Sequence, residues 1–170
     1  MSKRRVVVLG GTLLAIGLIA VGMVPSAAQE PPPPIAAEFL SGRAMFTDDV
    51  DLMIKNKKDG RRTEVVRSED PSRTVVARFT VQPGAQFPWH SHAGPVVVNV
   101  VQGTLVYIEA DGCVERPYPA GTAFVDPGHG HVHSAVNEGA EVVVLVATFF
   151  EAPAAGPLLI PAEAPAACTA

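Results

Sequence analysis

Several features are missing from this chain, and each absence removes a class of function. No glycine-rich loop runs into a helical segment, so a nucleotide-binding fold is disfavoured. No internal repeat is present, which sets aside solenoids and propellers. Ser91 and Ser134 stand in no strand-to-helix elbow, so the chain offers no serine triad. Aromatic residues make up 6% and charged residues 18% of its 170 positions, and the formal net charge is −4. An acidic module of this kind is poorly suited to a phosphate backbone, and no nucleic-acid partner is expected.

Long hydrophobic runs are scarce as well. The longest without a charge, Val6 to Val24, follows Lys3, Arg4 and Arg5 and precedes Ser26 and Ala28. That is the order of a basic region, an apolar core and a small-residue cleavage site. Residues 1–28 read as an export signal or, uncleaved, as an N-terminal membrane anchor, since the run approaches the ~20 residues that span a bilayer. Any membrane contact is expected through this segment alone. The protein is expected to be secreted or associated with the cell envelope, and loss of three basic residues would take the formal charge from −4 to −7. Cysteine is nearly absent: Cys113 and Cys168 are either a bridge that pins the C-terminal end or two unrelated thiols.

What remains is rich in valine and in turn residues. Pro31 to Pro34 make residues 29–38 a stiff, extended linker, and residues 151–170 form an Ala/Pro-rich tail without helical periodicity. Between them, residues 39–150 are expected to fold as one all-β domain. Strands are predicted at Val50–Lys55, Arg62–Arg67, Thr74–Val81, Gln86–His92, Val96–Val101, Thr104–Glu109, Thr122–Asp126, His131–Asn137 and Glu141–Phe149. Asp59-Gly60 and Asp111-Gly112 are hairpin signals, because a two-residue primed turn needs the positive φ that glycine supplies without steric cost. Lys55, Lys57, Lys58, Arg61 and Arg62 flank the first of them and read as a solvated hairpin end. Short strands with regular turns point to a sandwich or barrel.

All five histidines fall in two short windows, His90 and His92 in one and His129, His131 and His133 in the other. Side chains alternate along a strand, so His90 and His92 share a face with Cα atoms ~6.5–7 Å apart. Imidazole is a common donor to Fe, Mn, Zn, Ni and Cu, and the pattern points to a divalent transition metal without distinguishing among them. His131 has the parity of His133 and is either an alternative ligand or a partner that orients one. His129 is assigned to the loop before them. Phe87 and Trp89 have the opposite parity to the pair and are assigned to packing first. Tyr107 and Asn137 are within reach of a barrel interior, with Asn137 expected to stabilise a turn.

The spacing closely resembles that of the cupin superfamily, whose two motifs are G(X)5HXH(X)3,4E(X)6G and G(X)5PXG(X)2H(X)3N. Gly84, His90, His92 and Gly103 keep the first, and Gly121, Pro127, Gly130, His133 and Asn137 keep the second with one extra residue between Pro127 and Gly130. The resemblance, over about Thr74 to Phe149, implies a single jelly-roll (double-stranded β-helix) barrel with metal ligands His90, His92 and His133. The glutamate position of the first motif falls on Val96, which ligates nothing. The implied centre is therefore three histidines without a carboxylate, similar to thiol dioxygenases of the superfamily and to catalytic zinc sites with an open position. Two functions follow as expectations: dioxygenase-like or hydrolytic chemistry on a small molecule, or a non-catalytic barrel that binds a sugar or carboxylate. Val97 and Val101 offer an outward face for a homodimer.

Overall fold

The alternation of valine with polar residues sets the strands. In Val75–Val81, residues Val75, Ala77, Phe79 and Val81 are buried while Arg78 is exposed; in Val143–Phe149, Val143, Leu145, Ala147 and Phe149 turn the same way. A period of two on one face is what a strand with a single buried side requires. The computed structural model describes residues 33–57 and 63–168. The apolar run with its basic flank, Pro31 and Pro32, and the Asp59-Gly60 turn with Lys58, Arg61 and Arg62 lie outside the described residues.

The described strands are β1 (Ile35–Phe39), β2 (Leu52–Asn56), β3 (Glu64–Ser68), β4 (Val75–Val81), β5 (Gln86–Ser91), β6 (Val96–Gln102), β7 (Thr104–Glu109), β8 (Val114–Pro119), β9 (Ala123–Asp126), β10 (His133–Val136), β11 (Val143–Phe149) and β12 (Ile160–Pro161). One sheet runs β1-β4-β11-β6-β9 and the other β12-β5-β10-β7-β8, with β2-β3 a separate hairpin. Every pairing is antiparallel. The inner faces of the two sheets form one apolar core, in which Phe79 stands edge-on to Phe87 and Phe149 at 5.7 and 6.3 Å between ring centres. The architecture is the all-β jelly-roll barrel that the motifs imply.

The ends of the chain depart from expectation. The barrel begins earlier than residue 39, because β1 starts at Ile35 and pairs with β4 along its length. The Ala/Pro segment after residue 150 is not a loose tail: Ala152 and Leu158 are buried, β12 adds to the edge of β5, and Cys168 is bonded to Cys113 with Cα atoms 5.4 Å apart. Hydrophobic periodicity is blind to a segment that docks mainly through backbone groups and a covalent bond. β8 was unanticipated because Pro117 and Pro119 dilute its pattern, yet as an edge strand it tolerates both. The turn at Asp111-Gly112 is a four-residue loop, since Glu109 pairs with Val114 and both Gly112 and Cys113 adopt positive φ.

Two loops fix the position of the histidines. The extra residue of the second motif is absorbed by three successive left-handed residues, Gly128 (φ 65°), His129 (φ 51°) and Gly130 (φ 84°). A Cβ on Gly128 would collide with the carbonyl of Gly94, so the loop after β9 lies directly on the loop between β5 and β6. Gly121 also has positive φ, 85°, but nothing within 4 Å of where its Cβ would stand. Gly121→Ala should therefore cost only about 1–2 kcal/mol of backbone strain, whereas Gly128→Ala must also displace main chain and should cost about 2–4 kcal/mol. Urea unfolding of the two variants beside the parent checks the difference.

Candidate metal centre

His90 and His92 leave β5 at the end of the barrel where β10 begins. His133 pairs with His90, but Ala135 pairs with Phe87, so β5 carries one extra residue at this point. That bulge is held by Ser134 Oγ–H, which donates to Phe87 O (2.8 Å), and by Gln86 Nε2–H, which donates to Ser134 Oγ (2.9 Å). It also overturns the parity argument for Phe87. An extra residue reverses the side-chain alternation, and Phe87 lines the same cavity as the histidines, whereas Trp89 is only half-buried.

His90, His92 and His133 are all buried, and each presents one nitrogen within 4.8 Å of the others. Their outer nitrogens are all engaged. His90 Nδ1 donates to Pro88 O (2.6 Å), His92 Nδ1 to Leu158 O (2.9 Å) and His133 Nδ1 to His131 O (3.4 Å), with Asp126 Oδ2 3.1 Å from the same nitrogen. A carbonyl or a carboxylate only accepts, so the proton of each neutral ring resides on Nδ1 and the lone pair on Nε2. Burial then keeps the rings neutral. It pulls His90 down to about 4 and His133 to about 3, and lowers His92, outweighing the attraction of Asp126. The His133–Asp126 contact is accordingly one between a neutral imidazole and a carboxylate.

Asp126 is a site residue that reading the sequence missed. It is the cross-strand partner of Val96 in the β6-β9 ladder, and both line the cavity. The carboxylate absent at Val96 thus has a counterpart on the neighbouring strand, set behind His133. Its Oδ2 accepts from Tyr107 O–H (2.6 Å) and His131 Nδ1 (3.1 Å), and its Oδ1 from Gly128 N–H (2.9 Å). Burial works against its charge, but these donors, led by His131, hold it well below the usual carboxylate range. The one available signal was an acid ending the apolar strand Ala123-Phe124-Val125 directly before Pro127.

The remaining candidates separate cleanly. His131 stays outside the triad and meets it through Asp126 and through its own carbonyl, which accepts from His133 Nδ1, its ring stacked 6.1 Å from that of His133. His129 is on the surface and pairs with Glu151 at 3.0 Å. Tyr107 is buried, stacks on His133 at 4.9 Å, and is pushed far up by burial and by the charge of Asp126, so it remains a donor. Asn137 performs the turn role expected of it, donating to Val81 O and Glu141 O and accepting from Gly139 N–H. The cavity measures about 50 Å³, walled by Phe87, Val96, Leu145, Phe149 and Leu159 among others.

Residues 77–149 match the family model described as "Cupin domain". The barrel is a cupin fold. Similar solved structures include a conserved protein with a double-stranded beta-helix domain from Klebsiella pneumoniae (26% identity, 52% of this chain and 76% of that one, TM-score 0.45). An RmlC-like cupin from Shewanella frigidimarina is also 26% identical over 48% of this chain and 68% of the other, with TM-score 0.41. An oxalate oxidase is 26% identical over 45% of this chain but only 41% of its own, also at 0.41. No curated protein matches. Within this cupin barrel the motif spacing and the cavity coincide, since the two histidine windows meet across the β5-β10 pair.

Replacing Asp126 tests how far the site depends on it. Asp126→Asn removes the charge and turns an amide N–H toward groups that are themselves donors. We expect a loss of about 2–4 kcal/mol from unpaired buried polar groups, measured by denaturant unfolding, while Asp111→Asn on the exposed β7-β8 loop should change stability by less than about 0.5 kcal/mol.

Proposed function

We propose that this protein is an exported cupin whose His90, His92 and His133 hold a divalent transition metal and act with it on a small molecule. The observation that carries the reading is the shared orientation of the three rings. Each has its Nδ1–H tied to an acceptor, which leaves three neutral Nε2 lone pairs facing one point, and outer partners of this kind are what align metal-binding imidazoles. Three neutral nitrogen donors suit Fe, Mn, Zn, Ni or Cu. A bound ion would supply Lewis acidity and open coordination positions for oxidative or hydrolytic chemistry.

The chain's own groups define the setting for that chemistry. Asp126, already accepting three hydrogen bonds, lies behind His133 rather than accepting a substrate proton. Tyr107 spends its hydroxyl proton on Asp126 and packs against the ligand ring. Phe87, Phe149 and Leu159 keep water away from the inner rings. A cavity of about 50 Å³ accommodates a few water-sized groups, which limits a reacting fragment to something small. The apolar wall and Val96 favour a second reading, in which the barrel retains a small carboxylate or sugar fragment without turning it over.

Export is supported by the Cys113–Cys168 bond, which is stable in an oxidising compartment, and by the basic and apolar composition of residues 1–28.

Elemental analysis of natively purified protein should find close to one equivalent of a transition metal. His90→Ala should hold less than about a tenth of an equivalent while keeping its far-UV circular dichroism. Parent protein that carries no metal, and gains no thermal stability when metal is added, would rule out the catalytic reading.

A further inference from the structure

The last described segment, residues 152–168, crosses the cupin barrel at the end where the histidines lie. Its first leg is held by arginines: Arg73 Nε–H donates to Ala152 O (2.8 Å), Arg43 Nε–H to Pro153 O (2.6 Å) and Arg43 Nη2–H to Gly156 O (2.5 Å). The chain then turns inward for two residues. Leu158 is buried and its carbonyl accepts from His92 Nδ1, while the Leu159 side chain forms part of the cavity wall. Next, Ile160 and Pro161 pair with Ser91 and His90, and Ala162 N–H donates to Trp89 O (3.0 Å). Cys168 finally joins Cys113 in the β7-β8 loop.

Apart from Leu158 and Leu159, almost nothing here is apolar and buried. Residues 154–157, 160, 161, 163, 164, 166 and 167 are exposed. Ordering a segment this long has an entropic cost that two leucines and a short backbone pairing offset poorly. A covalent bond at the far end changes the balance, because it confines the free segment near its docking site and raises its effective concentration there.

We infer that residues 152–168 are a closing strap, latched by Cys113–Cys168, that completes the histidine centre and controls access to it. Leu159 is a wall that limits what fits, and the Leu158 carbonyl is a positioning group that sets the tautomer of His92. The consequence for a bound ion rests on the metal reading above; the strap itself does not.

The test uses diethylpyrocarbonate labelling of metal-free, full-length protein, followed histidine by histidine with mass spectrometry. Exposed His129 serves as the internal reference. In the parent, His90 and His92 should label at least about tenfold more slowly than His129. Cys113→Ser/Cys168→Ser, which removes the latch, and Ala162→Pro, which removes the Trp89 hydrogen bond but keeps the disulfide, should each speed both sites by about fivefold or more. Rates within a factor of about two of the parent in both variants, with the barrel's circular dichroism retained, would overturn the strap. So would rapid labelling of His90 and His92 in the parent, or loss of the barrel in both variants, which would make the segment an integral strand. Because no metal is present, absence of metal binding in the native protein would leave these rates, and the strap, untouched.

Discussion

The buried carboxylate of Asp126 organises this end of the barrel. Asp126 belongs to β9 of one sheet, while Tyr107, which donates to it, belongs to β7 of the other, and His131, a second donor, lies two residues before β10. A charge so far from water persists only when several donors meet it. That requirement ties the two sheets together and fixes the Gly128 loop through a backbone N–H. It also sets the charge 3.1 Å from His133 Nδ1, whose proton goes to the His131 carbonyl. His131, a donor that helps keep this acid charged, thus also accepts the proton of the third histidine through its carbonyl.

The same economy runs through the other two rings. The bulge in β5 brings Pro88 O under His90, and the C-terminal segment brings Leu158 O to His92. Three separate backbone carbonyls, those of Pro88, Leu158 and His131, each take one imidazole proton. The rings are left neutral and uniformly oriented before any ligand arrives, a pre-organised arrangement of the kind that reduces the reorganisation a binding site must undergo. Around them the cavity is small and largely hydrocarbon. Val96 contributes a methyl surface where the related motif has a carboxylate, and the acid of Asp126 lies one strand away, behind His133.

The C-terminal segment shows how a stretch with little helix or strand signal of its own enters a site. Its contribution consists of one carbonyl, one leucine side chain and a short edge pairing, and the disulfide anchors its far end to the β7-β8 loop. Small structural contributions of this type depend on partners far away in the chain, such as His92 and Leu158, 66 positions apart.

Most of the β architecture was legible in the residues themselves, because alternation of valine with polar side chains and glycine-marked turns are local properties. The nine strands predicted between Val50 and Phe149 are all present with small shifts at their ends, and the pair of motifs pointed to His90, His92 and His133 and to the jelly-roll fold. Tertiary structure alone decided the rest. The bulge moved Phe87 into the cavity, since one extra residue flips a strand's faces and leaves no compositional trace. Asp126 became the partner of His133 because β9 lies beside β6 across the barrel from β10, a juxtaposition that spacing along the chain does not encode. Ile35–Phe39 became a strand, and the Ala/Pro end became part of the site, because backbone hydrogen bonds and a disulfide recruit residues regardless of their hydrophobic pattern. Local sequence determined which residues would be strands and which would be imidazole donors; long-range packing determined where their protons point.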